Sequence, residues 1–455
     1  MRYSRLYFIP LGLLLLSLIL LVRGCSQPLK NHQTKRATAP ASTVGHRTPA
    51  VIHNIETSIL DNIKANGFDG DPSINNGMGG LFINWRYGTN PLQTNVNGTG
   101  EPDDASANPR HDLLTDIRYI HNLWSYKHEN PADTRYDSEI ARYTPIIKAE
   151  FAHHENERGW LFDEFMAVYN LSNDGFYKDT AYSLASGYAH AFDPAVGSIY
   201  KKNSGHSNGS YRVDNVLEAG CALVQASVLF NKPEWMQKGV STINFIYAHA
   251  YVEPYHTFAS QMDNVLQPDG SVNPNQTFFS GTTKNYTVSG RNIQMGAVAQ
   301  IAISLLDAYK VTHNQDLLNK ATDLLDSYAL PANPLGMWDT KNGGYYFSVN
   351  FLGTSPTNPG RLSLNKAHKE VGRQIIILQA FHIANKLAGG KYKETEDQLQ
   401  SLAVNKIYYA PGHGVLYDVN SDWSLRKLPN GTYEDMVTTE AMGAELESLF
   451  SLNEQ

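Results

Sequence analysis

Three acidic side chains stand at or near the starts of long, mostly apolar helical runs: Asp214, Glu370 and Glu440. Burial in apolar surroundings disfavours the charged form of a carboxyl group and so raises its pKa. Hydrolysis of a glycosidic bond needs two carboxyl groups, one protonated and one ionised, on either side of the bond. The three residues are therefore candidates for a catalytic acid and its partner base.

Basic residues accompany these acids. Arg212 precedes Asp214, while His368 and Arg373 flank Glu370, and we expect all three to bind substrate. A histidine tuned near neutral pH can also move a proton beside a sugar carbonyl, so His368 with Arg373 fits half of a sugar-isomerising site. No second histidine is evident, because His413 lies in a loop and His111 or His382 could equally serve packing.

The elements that must position these residues form a repeating pattern of helix pairs. A polar start, a long helical run, a second helix and a loop rich in Gly, Asn, Asp and aromatics recur at spacings of roughly 35 to 80 residues, which is typical of stacked helical hairpins. The helix starts lie near Arg110-His111-Asp112, Tyr177-Lys178-Asp179, Arg212-Val213-Asp214, Gly290-Arg291-Asn292, Lys366-Ala367-His368 and Tyr433-Glu434-Asp435.

Two kinds of helix alternate in this pattern. The runs 214–230 and 293–309 are apolar nearly all round, which indicates burial on every side. The run 315–330 alternates apolar pairs with charges, which is typical of an outer surface. We predict an all-α fold, a closed (α/α)6 toroid of six hairpins. Loops entering its inner helices would surround one mouth of a central cavity, where the polar groups at the helix starts converge.

The segments 338–347 (WDTKNGGYYF), 364–381 (LNKAHKEVGRQIIILQAF) and 437–446 (VTTEAMGAEL) carry a resemblance to a known superfamily. The chain resembles the six-hairpin glycosidases, whose toroids include many glycoside hydrolases and the N-acylglucosamine 2-epimerases. One such fold carries many reactions. Loop aromatics of the resembling segments, namely Trp338, Tyr345 and Tyr346, with Phe347, are expected to stack on sugar rings.

Asp163 and Glu164 resemble the paired acids of toroidal mannanases. We place this pair on an outer helix, where solvated charge is normal, and prefer the acids at the helix starts. The residues from Asp69 to Asn75 alternate like a calcium loop, but Gly80 stands where the loop needs glutamate. No zinc spacing or phosphate-cradling glycine loop occurs, so we expect neither a metal nor another cofactor.

The first residues predict export. Arg2 and Arg5 precede an apolar run from Leu6 to Val22, the pattern of an export signal. Cys25 follows in a context that resembles a lipoprotein cleavage box, so we expect it to be lipidated, although Arg23 departs from the usual pattern. An uncleaved helix is the alternative, since roughly 17 to 25 residues cross a bilayer, and complete release is a third outcome.

The chain divides into residues 1–25 as export signal or membrane anchor, 26–50 as a polar tether and 51–455 as the toroid. The net charge of −7 argues against nucleic-acid partners. We expect an extracytoplasmic protein, anchored in the cell envelope, whose partner is a glycan that it hydrolyses. The alternatives are a sugar 2-epimerase and a glycan-binding lipoprotein without catalysis.

Overall fold

The computed structural model describes residues 49–89, 92–95, 113–151, 159–199, 211–262, 292–353, 358–427, 431 and 434–453. All of them belong to a unit that begins at Gly45. The predicted export segment, Cys25 and nearly all of the tether lie outside these ranges. Among the described helices, none combines the length and the apolar character needed to span a membrane.

The helices alternate between an inner and an outer position. In chain order they are α1 Pro49–Asn66, α2 Leu113–Glu129, α3 Asp137–Phe151, α4 Trp160–Ser172, α5 Gly175–His190, α6 Val213–Leu229, α7 Pro233–Ala250, α8 Met295–Thr312, α9 Gln315–Asp326, α10 Val371–Leu387, α11 Lys393–Leu402 and α12 Thr439–Asn453. The even-numbered helices contact one another in sequence, and α12 returns to α2, so they close a ring. The odd-numbered helices pack outside it, and α1 completes the sixth hairpin with α12.

Burial follows the predicted division. Helices α6 and α8 are buried along most of their length, whereas α9 buries one apolar stripe, so both predictions for these helices are confirmed. Gly220 and Gly239 bring α6 and α7 together, since a Cβ on Gly239 would lie 2.6 Å from the Gly220 carbonyl oxygen. The (α/α)6 toroid is therefore the observed fold.

Two placements differ from the prediction. Asp163 and Glu164 lie on α4, which is an inner helix that contacts α2 and α6, so their assignment to an outer helix is wrong. The start predicted near Tyr177 to Asp179 lies within the outer helix α5. Asp163 and Glu164 are buried because they find partners on the neighbouring inner helices α2 and α6 and need no solvent. Since inner and outer helices alternate, the wrong position for α4 also gave the wrong position for α5.

Short strands brace the loops, an addition to the all-α prediction. They are β1 Phe68–Asp69, β2 Gly80–Leu81, β3 Asn84–Arg86, β4 Gln93–Thr94, β5 Phe192–Asp193, β6 Ser198–Ile199, β7 Tyr211–Arg212, β8 Tyr251–Val252, β9 Thr257–Phe258, β10 Gln261–Met262, β11 Asn292–Gln294, β12 Ser348–Phe351, β13 Leu362–Asn365, β14 His368–Glu370, β15 Tyr408–Tyr409, β16 Gly414–Val415, β17 Asp418–Asn420 and β18 Met436–Thr438. They pair antiparallel in the orders β1-β2, β18-β3-β4, β5-β6, β10-β7, β8-β9, β11-β12-β13, β14-β17 and β15-β16.

Candidate active site

Strands lead directly into four inner helices. β7 precedes α6, β11 precedes α8, β14 precedes α10 and β18 precedes α12, with no residue between strand and helix. Each of these strands is hydrogen-bonded to a neighbour, which fixes the first turn of the helix that follows. We call this end of the ring the mouth.

Two carboxyl groups meet in one pocket at the mouth. Glu370 ends β14 and Glu440 is the second residue of α12, and both line this pocket together with Arg373 and Tyr417. The Val371 N–H donates to the Tyr417 carbonyl at 3.1 Å, which fixes Tyr417 beside Glu370. We call these four residues the mouth cluster. The predicted convergence of Glu370, Arg373 and Glu440 is thus observed.

The environment of Glu370 favours its protonated form. Burial raises the pKa of this carboxyl group, Arg373 opposes the rise, and the nearby charge of Glu440 adds to it. Arg373 Nε lies 2.9 Å from Glu370 Oε1, and the Glu370 side chain is 15% exposed. A carboxyl group whose pKa is raised by burial therefore lies beside a second carboxyl group and is partly reachable from solvent.

Asp214 is held by an arginine rather than by the pocket. Arg212 places Nη2 2.7 Å from Asp214 Oδ2 and Nε 3.3 Å from Oδ1, so the guanidinium binds both carboxylate oxygens. The charge of Asp214 raises the pKa of Arg212, and the like charge of Arg373 opposes the rise, so the two arginines lie within electrostatic range of each other. The third predicted acid therefore stands near the mouth cluster but does not line its pocket.

His368 pairs with Asp418 on the neighbouring strand. Its Nδ1 lies 2.6 Å from Asp418 Oδ2, and its ring stacks on Phe347 with centroids 4.9 Å apart. Register pairs Glu370 with Asp418 across β14 and β17, and His368 lies two residues before Glu370 on β14. Asp418 is also bonded by Arg426.

The predicted stacking aromatics are mostly buried. Tyr345 is fully buried and its hydroxyl donates to the Tyr328 carbonyl at 2.6 Å, while Trp338 is 7% exposed and packs edge-on against Tyr345. Neither ring presents a face to a sugar, and both stabilise their loop. Tyr346 is half-buried, and the ammonium groups of Lys366 and Lys369 lie over its ring.

A second polar cluster lies deeper in the ring. A cavity of about 590 Å³ is lined by inner helices. On α10 and α12 most of its residues lie farther along the helix than those of the mouth pocket, and Ile376 lines both. Arg118 Nε lies 2.8 Å from Glu447 Oε1, and its Nη2 lies 3.2 Å from Glu164 Oε1. His121 Nδ1 lies 2.9 Å from Glu164 Oε2.

Neighbouring carboxyl groups of this cavity differ in charge preference. Burial and then the charge of Asp307 raise the pKa of Asp163 well above its usual value, although Gln225 donates to it at 2.8 Å. Burial opposes the charge of Glu164 as well, but Arg118 and His121 outweigh it and lower its pKa to about 2. One acid of the pair is therefore held protonated and the other ionised.

The groups that could hold a metal are already neutralised. Among the described residues, His121, Glu164 and Glu447 place one ligand atom each within 4.8 Å of the others. Arg118 binds both carboxylates, so a divalent cation between them would lie against a guanidinium charge. This arrangement fits an internal ion-pair network better than a cation site.

Some of the predicted residues lie outside the part of the chain that the structure describes, and some contributing residues were not predicted. Arg110, His111, Asp112, Arg291 and Cys25 lie outside the described residues. The contributions of Tyr417, Arg118 and Glu447 were missed. Tyr417 comes from a short strand pair that carries no motif, whereas the apolar run around Asp163 and Glu164 was a usable signal for an inner helix.

Comparison with known proteins supports the fold. The sequence matches no protein-family model and no curated protein. Similar solved structures include an unsaturated glucuronyl hydrolase specific for heparin (15% identity, TM-score 0.60, 88% of this chain and 96% of that one) and a D-mannose isomerase (10%, 0.56, 90% and 98%). A third is an inactive α-1,6-mannanase of Salegentibacter sp. with α-1,6-mannotriose (12%, 0.54, 88% and 99%), in which two consecutive aspartates are replaced by asparagine.

These likenesses extend over nearly the whole of each chain, while the identities are low. The chain therefore has the six-hairpin toroid fold, and the predicted resemblance to the six-hairpin glycosidases is confirmed at the level of fold.

Proposed function

We propose that the protein is a glycoside hydrolase that acts at the mouth of the ring. The observation that carries this proposal is the pairing of Glu370 with Glu440 in one pocket, where burial and the charge of Glu440 raise the pKa of Glu370. A carboxyl group with a raised pKa beside a second carboxyl group is the usual arrangement of an acid and its partner in glycosidases.

In this mechanism Glu370 donates its proton to the glycosidic oxygen as the bond to the sugar breaks. Glu440 stays ionised and either activates water or attacks the sugar carbon. Arg373 orients Glu370 by donating a hydrogen bond from Nε to Glu370 Oε1, and Arg212 holds Asp214 ready to accept hydrogen bonds from sugar hydroxyls. Glycan recognition agrees with the structural similarity to a glucuronyl hydrolase specific for heparin and to an α-1,6-mannanase with bound mannotriose.

The decisive experiment is hydrolysis of a broad polysaccharide and oligosaccharide panel, read as released reducing sugar. We expect Glu370→Gln and Glu440→Gln each to lower kcat by at least about 100-fold, the usual contribution of a positioned acid or base. Glu394→Gln is the matched control, because Glu394 is exposed on the outer helix α11. Full activity in both mouth variants would refute the assignment, and glycan binding without turnover by the wild type would leave a binding protein.

A sugar isomerase is the second candidate, favoured by His368. The ion pair of this histidine with Asp418 lies beside the mouth cluster and could hold a base for proton transfer. The D-mannose isomerase neighbour shares the fold. Chromatography of free aldoses and ketoses separates the candidates: interconversion lost in His368→Asn supports the isomerase, and cleavage of a glycosidic bond supports the hydrolase.

We further propose that this activity lies outside the cytoplasm on an anchored protein. The support is the basic start followed by the apolar run 6–22 and Cys25. Expression with labelled palmitate tests the anchor: label on the wild type and none on Cys25→Ser supports lipidation, and membrane retention of an unlabelled protein supports an uncleaved helix.

A further inference from the structure

The deeper cavity contains buried polar atoms that remain unsatisfied. Within the described ranges, Arg118 Nη1 and His382 Nε2 have no hydrogen-bond partner, and both residues line the cavity. Arg118 is 3% exposed and His382 is 5% exposed. Because an unsatisfied buried polar group destabilises the fold, a hydrogen-bond partner in the cavity would recover that cost.

The orientation of His382 directs its free nitrogen inward. Nδ1 lies 2.6 Å from Glu396 Oε1, on the outer helix α11. The two ring nitrogens of imidazole lie on opposite sides, so Nε2 faces away from α11 and toward the cavity. On the other wall, Arg118 lies over the Trp160 ring at 4.5 Å, which fixes the guanidinium in place.

Charged side chains that line the cavity form ion pairs with one another. Arg118 is shared by Glu164 and Glu447, and Lys310 lies 2.8 Å from Asp307. Lys386 is exposed, so water screens its charge. A charged ligand would disturb these pairs, whereas a neutral one would not.

Polar and apolar groups alternate around the cavity. Gln300 and Gln379 add donors and acceptors, while Ile303, Ile383 and Phe450 supply apolar contacts. A sugar ring presents hydroxyl groups at its edge and C–H groups on its faces, and it matches this mixture. The volume of about 590 Å³ lies within the range of roughly 300 to 1,000 Å³ typical of small-molecule sites.

We infer that this cavity is a second binding site, separate from the mouth, for one neutral monosaccharide. Arg118 Nη1 donates to one sugar hydroxyl, and His382 Nε2 accepts from another. The inference does not depend on the proposed hydrolysis at the mouth.

The test is calorimetric titration of the full chain with glucose, galactose, mannose, N-acetylglucosamine, glucuronate and glucosamine. Ala167→Trp and Ile383→Trp each fill the cavity from a different helix, and circular dichroism with thermal unfolding identifies a variant that keeps the fold. We expect a neutral sugar to bind, a folded cavity-filling variant to weaken binding by at least about tenfold, and Glu394→Gln, at an exposed position of the outer helix α11, to leave it unchanged. With isotope-labelled histidine, the NMR resonance of His382 should shift on saturation.

Three results would overturn the inference: no neutral sugar binds the wild type, only the charged sugars bind, or a folded cavity-filling variant binds the neutral sugar as tightly as the wild type. Reducing-sugar release by the same preparations reports separately on the mouth, so a failure at one site is distinguishable from a failure at the other.

Discussion

The side chain of Arg373 occupies the space that a side chain at Gly296 would fill. A Cβ on Gly296 would lie 2.1 Å from Arg373 Cδ and 2.8 Å from its Cγ. Gly296 is the second residue of α8, so this inner helix has no side chain at the point where Arg373 of the next inner helix, α10, crosses it. This close approach holds Arg373 against Glu370.

Replacing this glycine should disable the mouth cluster while the ring stays folded. In Gly296→Ala the added methyl group displaces Arg373 from Glu370, so we expect a loss of at least about tenfold in kcat/KM, equal to about 1.4 kcal/mol. The measurement is hydrolysis beside thermal unfolding. Gly175→Ala is the matched control, because its Cβ would meet no atom within 4 Å. Equal activity in the two variants would contradict the role given to this contact.

Sequence periodicity predicted the fold because the buried surface of a helix determines the spacing of its apolar residues. The all-apolar runs of α6 and α8 and the striped run of α9 have compositions that fit only inner and outer positions. The placement of acids at helix starts likewise brought Glu370, Arg373 and Glu440 into one pocket. In each case a local pattern determined the position.

Sequence patterns failed where partners come from far along the chain. Glu164 is buried because Arg118 and His121 neutralise it from another inner helix, and no local pattern records that pairing. Tyr345 lies in a loop rich in glycine and aromatics that predicts exposure, yet its hydroxyl finds the Tyr328 carbonyl and the ring is buried.

Removing the charge of Glu440 should lower the pKa of Glu370. The like charge of Glu440 contributes to the raised pKa of Glu370, so in Glu440→Gln that pKa should fall while remaining influenced by burial. Titration of ¹³C-labelled glutamate side chains by NMR measures it directly, without any need for turnover. An unchanged pKa for Glu370 would mean that the two carboxyl groups do not interact.

Tyr345 should prove structural rather than substrate-binding. Tyr345→Phe removes the donor to the Tyr328 carbonyl and leaves that buried acceptor unpaired, at a cost of about 1 to 3 kcal/mol in the free energy of unfolding. Because the ring is fully buried, KM should not change. Denaturant unfolding and steady-state kinetics on the same sample test both statements, and a raised KM at unchanged stability would restore the role in sugar binding.

The ion pairs of Glu164 should stabilise the ring at neutral pH and lose their effect in acid. Its pKa is lowered from 4.5 to about 2, so the stabilisation is complete above pH 4.5 and disappears as the pH falls through about 2. Glu164→Gln leaves Arg118 without one of its partners, and removing one member of a buried pair costs about 3 to 5 kcal/mol. Urea unfolding from pH 7 to pH 2 should show the variant approaching the wild type.

Glu445 should have the opposite pH dependence to Glu164: it should stabilise the ring in acid and lose that effect as the pH rises. It is fully buried on α12, and burial raises its pKa from 4.5 to about 8. Its contribution to stability is therefore complete below pH 4.5 and is lost as the pH rises through about 8, by about 1.4 kcal/mol for each pKa unit of difference between folded and unfolded states. Glu445→Gln cannot ionise, so its stability relative to the wild type should increase from pH 5 to pH 8, as measured by thermal unfolding. The exposed Glu394→Gln should show no such trend, and a constant difference between Glu445→Gln and wild type across this range would mean that Glu445 is already ionised in the folded ring.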